Sequence, residues 1–277
     1  MLTVVRLIMV QLIRIALVLA TVLVPYFVYG QSVGDIRWRY WKPTFGGKYS
    51  VSDETLEGTD LTPKMLSFSR HESIDRFDTT IFMRSSRLSI SLWDVLYKGG
   101  STLSSQTAYA GVLFDAARVH GKFRLINYDL KLDFDLLRSY TQSKRTMLFT
   151  LGGGFHFLRI YSQLEGTVSG NPEQESVRFD QMIPYLSMTL YSYLGSAGSS
   201  GDMFIGASVS GSSYSYSQAN IRLSQYTETS IFFQYGATSA FQMGFIRSSC
   251  DMERTNSKSL KVRYHIDGWF IGIFLAF

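Results

Sequence analysis

The segment NYDLKLDFDL, residues Asn127–Leu136, decides the fold because polar and apolar residues alternate along its whole length. Its even-numbered residues, from Tyr128 to Leu136, are apolar, and its odd-numbered residues are Asn, Asp or Lys. Successive side chains of a strand point to opposite faces, so the pattern predicts a strand with one apolar and one polar face. A soluble antiparallel sheet with one face in water gives the same alternation. Its length, however, is that of a tilted membrane-spanning strand, about 9–11 residues.

Three further segments repeat this alternation with a different second face. They are MLFTLGGGFHF (Met147–Phe157), DMFIGASVSGS (Asp202–Ser212) and IFFQYGATSAFQMGF (Ile231–Phe245). One face carries Phe, Met, Ile or Leu, whereas the other is rich in Gly, Ser and Thr. Small polar residues fill a protein core poorly, but they suit the interior of a barrel whose large apolar residues face lipid. The sequence therefore predicts a transmembrane antiparallel up-and-down β-barrel.

We expect about ten strands, with eight as the alternative. The expected strands are approximately 35–44, 75–84, 87–98, 121–138, 146–164, 179–194, 202–213, 216–226, 229–246 and 259–277. Short turns are expected near 84–87, 139–145, 195–201 and 226–229, and long loops at 45–74, 99–120, 165–178 and 247–258. Pro184 predicts a bulge, because proline removes a ladder donor. A second bulge is expected near Asp267–Gly268, where the apolar set of the last strand changes from odd to even positions.

The first 30 residues predict a secretory signal peptide, which leaves 31–277 as the barrel domain. Arg6 and Arg14 are followed by an apolar stretch and by Val28-Tyr29-Gly30, a small-residue cleavage site. An uncleaved membrane helix is the alternative. Cleavage would leave 25 of the 27 basic residues against 22 acidic ones, a net charge of +3. This mild charge, without a basic stripe, argues against a nucleic-acid partner.

The chain resembles bacterial outer-membrane β-barrel proteins. The resemblance rests on the predicted signal peptide, the repeated amphipathic strands and the segment GWFIGIFLAF, Gly268–Phe277. That segment looks like the C-terminal assembly signal of such proteins, with Trp269, Ile271, Ile273, Leu275 and Phe277 at every second position. The resemblance implies location in the outer membrane, contact with its lipid and recognition by the barrel assembly machinery. It also implies periplasmic termini and extracellular loops.

The predicted interior carries a cluster of charged residues. Its members are Arg37, Arg39, Asp129, Lys131, Asp133, Asp135, His156 and Arg222. Charges in a narrow lumen must be paired or hydrated, so we expect a plug of paired charges and a structural or surface-interaction role for a monomer. A narrow pore for small solutes or ions is the first alternative. A lipid-modifying enzyme or protease is the second, although no catalytic set, metal spacing or cofactor motif is recognisable.

Overall fold

The computed structural model describes residues 34–69, 74–83, 85–141, 144–196, 201–216, 221–236, 239–255 and 258–277. The predicted signal peptide at 1–30 lies outside the described residues. In the part of the chain that is described, no helix is long and apolar enough to cross a membrane.

The described residues contain twelve strands, which pair antiparallel. They are β1 (Gly34–Asp53), β2 (Ile74–Phe82), β3 (Ser86–Thr102), β4 (Thr107–Tyr109), β5 (Val112–Phe114), β6 (Arg118–Thr141), β7 (Lys144–Val168), β8 (Asn171–Ser196), β9 (Asp202–Tyr216), β10 (Ile221–Tyr235), β11 (Ser239–Arg254) and β12 (Lys258–Ala276). Ten of them close into a barrel in the order β1-β12-β11-β10-β9-β8-β7-β6-β3-β2, and β4 and β5 form a separate hairpin. The prediction of an all-β, ten-stranded barrel is confirmed, and the alternative of eight strands is wrong.

Several strands are much longer than the sequence suggested. The predicted loop at 165–178 is wrong, because β7 and β8 run through it and join at Ser169 and Gly170, which have positive φ angles of 49° and 80°. The predicted loop at 247–258 is likewise mostly strand, in β11 and β12. Only the connections at 54–73 and 103–117 remain long among the described residues, and the second contains the β4–β5 hairpin.

The predicted boundaries of β9 to β11 are also wrong. Residues 226–229, expected as a turn, lie inside β10, and residues 211–215 lie inside β9. Strands β10 and β11 are instead separated after Tyr235, and Gly236 has a φ of +108°, which favours glycine. In this hairpin Tyr235 pairs with Phe241 and Phe233 with Met243, so odd residues face outward on both strands. The alternation therefore continues from β10 into β11, and in the sequence the two strands resemble one long strand.

The barrel wall has an apolar outer band at the end that carries Gly34 and Phe277. Exposed large apolar side chains in this band include Ile36, Trp38, Tyr40, Ile90, Tyr128, Leu130, Leu132, Phe155, Phe157, Met182, Leu186, Met188, Ile205, Ile231, Met243, Trp269, Ile271, Ile273 and Leu275. So large an exposed apolar surface is unstable in water and is the lipid-facing surface of a membrane barrel. We call this part of the barrel the membrane half.

Towards the other end the two faces exchange character, and we call that part the outer half. On β6, the outward residues change from apolar at 128–136 to His120, Lys122 and Arg124, while the inward residues change from polar at 127–135 to Val119, Phe123 and Leu125. Buried apolar residues from most of the strands fill the bore of the outer half. The outer half therefore resembles a water-soluble barrel, with a charged exterior and an apolar core.

Neither predicted bulge is present in the ladders. The ladders of β12 with β1 and with β11 run through Asp267 and Gly268 without a register shift, so the apolar set changes sides because the strand leaves the membrane. The ladder of β8 with β7 is also continuous at Pro184, which pairs with Phe155. The proline instead lies two residues from the end of the ladder between β8 and β9, at Leu186 and Gly211.

Candidate functional site

The candidate site is a polar chamber of about 190 Å³ inside the membrane half. Its lining includes five basic and five acidic residues. These are Arg37, Arg39, Arg76, Arg87, Lys131, Asp35, Asp78, Asp129, Asp133 and Glu228. Serine and threonine residues of β3, β8, β9 and β10 complete the wall. The charges of the lining balance, so the chamber has little net preference for anions or cations.

A chain of ion pairs crosses the bore. Arg39 Nη1 lies 3.4 Å from Asp78 Oδ2, and Arg76 Nε donates to Asp78 Oδ1 at 3.2 Å. Arg76 Nη2 then donates to Glu228 Oε1 of β10 at 3.0 Å. All four side chains are largely buried, and buried charges are costly unless they are paired. The chain thus ties β1 and β2 to the opposite wall of the barrel.

Two smaller polar groups continue the network on β6. Lys131 Nζ lies 2.8 Å from Asp133 Oδ2, and Ser187 Oγ donates to Asp133 Oδ1 at 2.9 Å. Asp135 binds Arg138 and lies 3.2 Å from Arg87 Nε. The carboxylates of Asp133 and Asp135 therefore each have a cation beside them.

His156 lies at the end of the chamber that borders the outer half. Its Nδ1 is 3.2 Å from Asn127 Nδ2 and 3.5 Å from Asp129 Oδ1, and Tyr185 donates to Asp129 Oδ1 at 2.7 Å. The imidazole stacks on the Tyr185 ring at 4.3 Å between centroids. Aromatic rings and amide groups enclose the imidazole. Together they form a hydrogen-bonded layer between the chamber and the apolar core of the outer half.

The run Gly152-Gly153-Gly154 makes room for this layer. A Cβ atom at Gly152 would lie 2.3 Å from Asp133 Oδ1, and one at Gly154 would lie 2.9 Å from the Tyr185 hydroxyl. The carbonyl oxygens of Leu132 and Leu130 lie as near or nearer, at 2.3 and 2.1 Å from the same two Cβ positions. The glycines are thus required by the close approach of the neighbouring backbone as well as of the acid and the tyrosine.

The structure brings most of the predicted charge cluster together. Arg37, Arg39, Asp129, Lys131, Asp133 and His156 line the chamber. Asp135 lies inside the barrel and pairs with Arg87, a chamber residue. Arg222 lies apart, exposed near the top of β10. The ladder of β10 shifts register between Leu223 and Gln225, which reverses the inward and outward positions above it.

Four important residues were not identified from the sequence. Arg76 and Asp78 lie on β2, a strand with weak alternation, and Glu228 was assigned to a turn. Tyr185 was overlooked beside Pro184. The sequence does contain a signal for the first two of these residues, because Arg76, Asp78 and Thr80 occupy alternate positions and so share one face of β2.

An aromatic core seals the chamber on the side of the outer half. Phe45 stacks on Tyr97 and Phe123 with centroids 4.8 and 4.9 Å apart, and Trp41 packs edge-on against Trp93. Residues 54–69 of the connection between β1 and β2 fold into the bore, where Leu61, Leu66 and Phe68 are buried among these rings. Main-chain hydrogen bonds between Tyr49 and Leu61, at 2.7 and 2.9 Å, hold the connection there. The bore is therefore filled above the chamber.

A closed ring of strands with an apolar exterior and a charged interior decides the type of protein. The chain is a β-barrel of the outer-membrane type. No family model and no curated protein matches the sequence. Across the described residues, no group of three or more His, Cys, Asp and Glu is placed to hold a metal ion.

Solved structures that are similar to this barrel include an outer membrane protease, a toluene transporter and a surface protein. The outer membrane protease OmpT from Escherichia coli matches with a TM-score of 0.42 and 9% identity, over 88% of this chain and 97% of that one. The P. putida toluene transporter TodX matches with a TM-score of 0.33 and 10% identity, over 89% and 91% of the two chains. Neisserial surface protein A (NspA) matches with a TM-score of 0.32 and 10% identity, over 89% and 98%. Likeness at this level assigns no activity to the chain.

Proposed function

We propose that the protein is a closed, non-conducting barrel of the bacterial outer membrane that acts through its outer half at the cell surface. The observation that carries the proposal is the aromatic core around Phe45, Tyr97 and Phe123, which fills the bore. Below it, the ion pairs from Arg39 to Glu228 cross the chamber. A conducting path would have to displace both.

In this proposal the outer half is extracellular and the termini are periplasmic. The rim of the outer half presents polar residues from the two long connections, including exposed Glu54, Glu57 and Asp60 and exposed Ser104–Gln106. Loops of this kind, held by a rigid scaffold, are where binding functions concentrate. The connections are anchored, since Thr59 N donates to Ala108 O at 2.9 Å and Ala110 N donates to Val51 O at 2.8 Å. The rim therefore offers a fixed surface to a partner.

The exposed face of β12 supports the proposed partners of the membrane half. Trp269, Ile271, Ile273 and Leu275 lie exposed on the outer face of β12, where they are accessible to lipid and to the barrel assembly machinery during insertion. We propose that the barrel functions as a monomer, with outer-membrane lipid around its apolar band.

Single-channel recording tests the proposal. The purified barrel, inserted in a planar bilayer, is expected to give no unitary currents across a range of potentials and salt concentrations. A barrel with a known open lumen serves as the control for insertion. Stable unitary currents from the native chain would reject the closed barrel, and a change of those currents in Asp133→Asn or Asp135→Asn would then support the narrow pore.

A further inference from the structure

Two neighbouring rows of hydroxyl-bearing side chains cover one wall of the chamber. The first row crosses four adjacent strands, β7 to β10, and its members are ladder partners in turn: Thr150, Thr189, Ser208 and Ser230. All four line the chamber, because they occupy the inward positions of their strands. The row therefore forms a continuous band of hydroxyl groups on the inside of the barrel.

The second row lies one step closer to the outer half. Ser187 of β8 pairs with Ser210 of β9, which in turn pairs with Glu228 of β10, and all three line the chamber. A hydroxyl group both donates and accepts hydrogen bonds, so the two rows suit a ligand rich in polar groups. We call the hydroxyl-bearing members of both rows the hydroxyl wall: Thr150, Ser187, Thr189, Ser208, Ser210 and Ser230.

Part of the hydrogen-bonding capacity of the hydroxyl wall is unused. Ser208 Oγ and Ser230 Oγ lie 2.7 Å apart and bind each other. Among the described residues, however, the buried hydroxyl oxygens of Thr150 and Thr189 have no hydrogen-bond partner. A buried polar group without a partner is costly, and such groups are rare in native proteins. The wall is therefore incomplete without an occupant in the chamber.

The opposite wall, formed by β1 and β2, carries paired charges instead. Arg76 reaches across the bore to Glu228, the neighbour of Ser210, and Asp78 lies between Arg76 and Arg39. A charged ligand between the two walls would therefore meet a group of its own sign. Within the described part of the chain, Arg76 Nη1 and Glu228 Oε2 have no hydrogen-bond partner, so this pair still offers one donor and one acceptor. These features favour a ligand that is neutral and forms hydrogen bonds in both senses.

The chamber has room for such a ligand. Its volume of about 190 Å³ is enough for several water molecules or for one small organic molecule. The serines of β9 and β10 in the hydroxyl wall are only half-buried although they face inward, and the inward side chain of Arg37 is 23% accessible. The aromatic core fills the bore on the side of the outer half, so a ligand enters from the end that carries Gly34 and Phe277.

We propose that the chamber binds a small neutral polyol between the hydroxyl wall and the pair of Arg76 and Glu228. Each hydroxyl group of a polyol can accept from a guanidinium or a hydroxyl and donate to a carboxylate or a hydroxyl. Binding therefore satisfies both walls and leaves the ion pairs intact. The site lies below the aromatic core, so it goes beyond the surface role proposed for the outer half and does not depend on it.

Saturation-transfer difference NMR tests this proposal on the purified full barrel, in a detergent without a sugar headgroup. The probes are sorbitol, gluconate and glucamine, which share a six-carbon polyol skeleton but are neutral, anionic and cationic at neutral pH. Saturation transfer to sorbitol at millimolar concentration is expected, and it should be several-fold stronger than transfer to either charged probe. Absence of transfer to sorbitol would show that the chamber holds water only, and equal transfer to all three probes would overturn the proposed selectivity.

Two variants of β9 place the signal in the chamber or outside it. Ser210→Met fills the chamber from the hydroxyl wall and should abolish transfer to sorbitol, whereas Val209→Met, on the lipid face of the same strand, should leave it unchanged. Ser208→Ala with Ser230→Ala keeps the chamber open but removes two hydroxyl groups, and it should weaken transfer several-fold. Far-UV circular dichroism checks that each variant is folded. Unchanged transfer in either folded variant of the hydroxyl wall would overturn the site.

Discussion

Arg76 Nη2 of β2 donates to Glu228 Oε1 of β10 at 3.0 Å, although three strands separate β2 from β10 in the barrel wall. The contact therefore spans the bore. Since both side chains are largely buried, removal of one partner leaves an uncompensated charge, which typically costs about 3–5 kcal/mol.

Arg76→Met should accordingly lower the free energy of unfolding by a few kcal/mol. Urea unfolding in detergent micelles, followed by tryptophan fluorescence, measures the change. The matched control is Arg263→Met, which breaks the exposed pair with Asp251 and should cost no more than about 1 kcal/mol. If both variants lose the same stability, the pair across the bore is not a structural tie.

Phe123→Ala should destabilise the barrel by about 3–5 kcal/mol, because it leaves a cavity in the aromatic core of the outer half. Phe134→Ala, on the same strand, removes an exposed ring of the lipid face and should cost less in the same urea titration. A larger effect at Phe134 would contradict the assignment of the core to the bore of the outer half.

Arginine substitutions along β8 should locate the membrane boundary. Met188 and Gln174 are both outward-facing and exposed, but Met188 lies in the apolar band and Gln174 near the top of the outer half. Met188→Arg should cost about 2–4 kcal/mol, as for a charge within the bilayer, whereas Gln174→Arg should be nearly neutral. Refolding into lipid vesicles at increasing urea concentrations measures both, and equal costs would place the boundary elsewhere.

Asp115 should make the β7–β8 turn sensitive to acid. Hydrogen bonds from the main-chain N–H groups of Gly170 and Ser169 hold the pKa of this exposed carboxyl below its ordinary value. A pKa lowered by folding gives stability that is present above the unfolded-state pKa, about 3.9, and is lost as the pH falls through the folded-state pKa.

Amide hydrogen exchange around Ser169–Gly170, corrected for intrinsic rates, should therefore accelerate below about pH 4 in the native chain. In Asp115→Asn it should be faster already at pH 7 and should lose this pH dependence. Unchanged protection in the variant at neutral pH would show that the carboxylate does not hold the turn.

The sequence was sufficient for the architecture of the membrane half. Strict alternation such as that of Asn127–Leu136 identified strands with a lipid face, and the number of strands followed from it. It was insufficient in the outer half, where residues 165–178 and 247–258 were expected in loops but lie mostly in strands. Outward-facing polar residues such as Gln174 and Arg178 are exposed to water there, and they resemble loop residues when a lipid face is expected. The ion pair of Arg76 and Glu228 could not be derived, because it depends on which strands face each other across the closed barrel.

The exchange of faces along β6 has a consequence for the register of the barrel. In a barrel of uniform alternation, sliding one strand by two residues against its neighbour returns every side chain to the same face. The two registers then have nearly the same energy. Here a two-residue slip would also draw Arg124 into hydrocarbon or lift Tyr128 into water. The vertical position of each strand is thereby fixed, and the same pattern that orients the side chains also sets the depth at which the barrel sits.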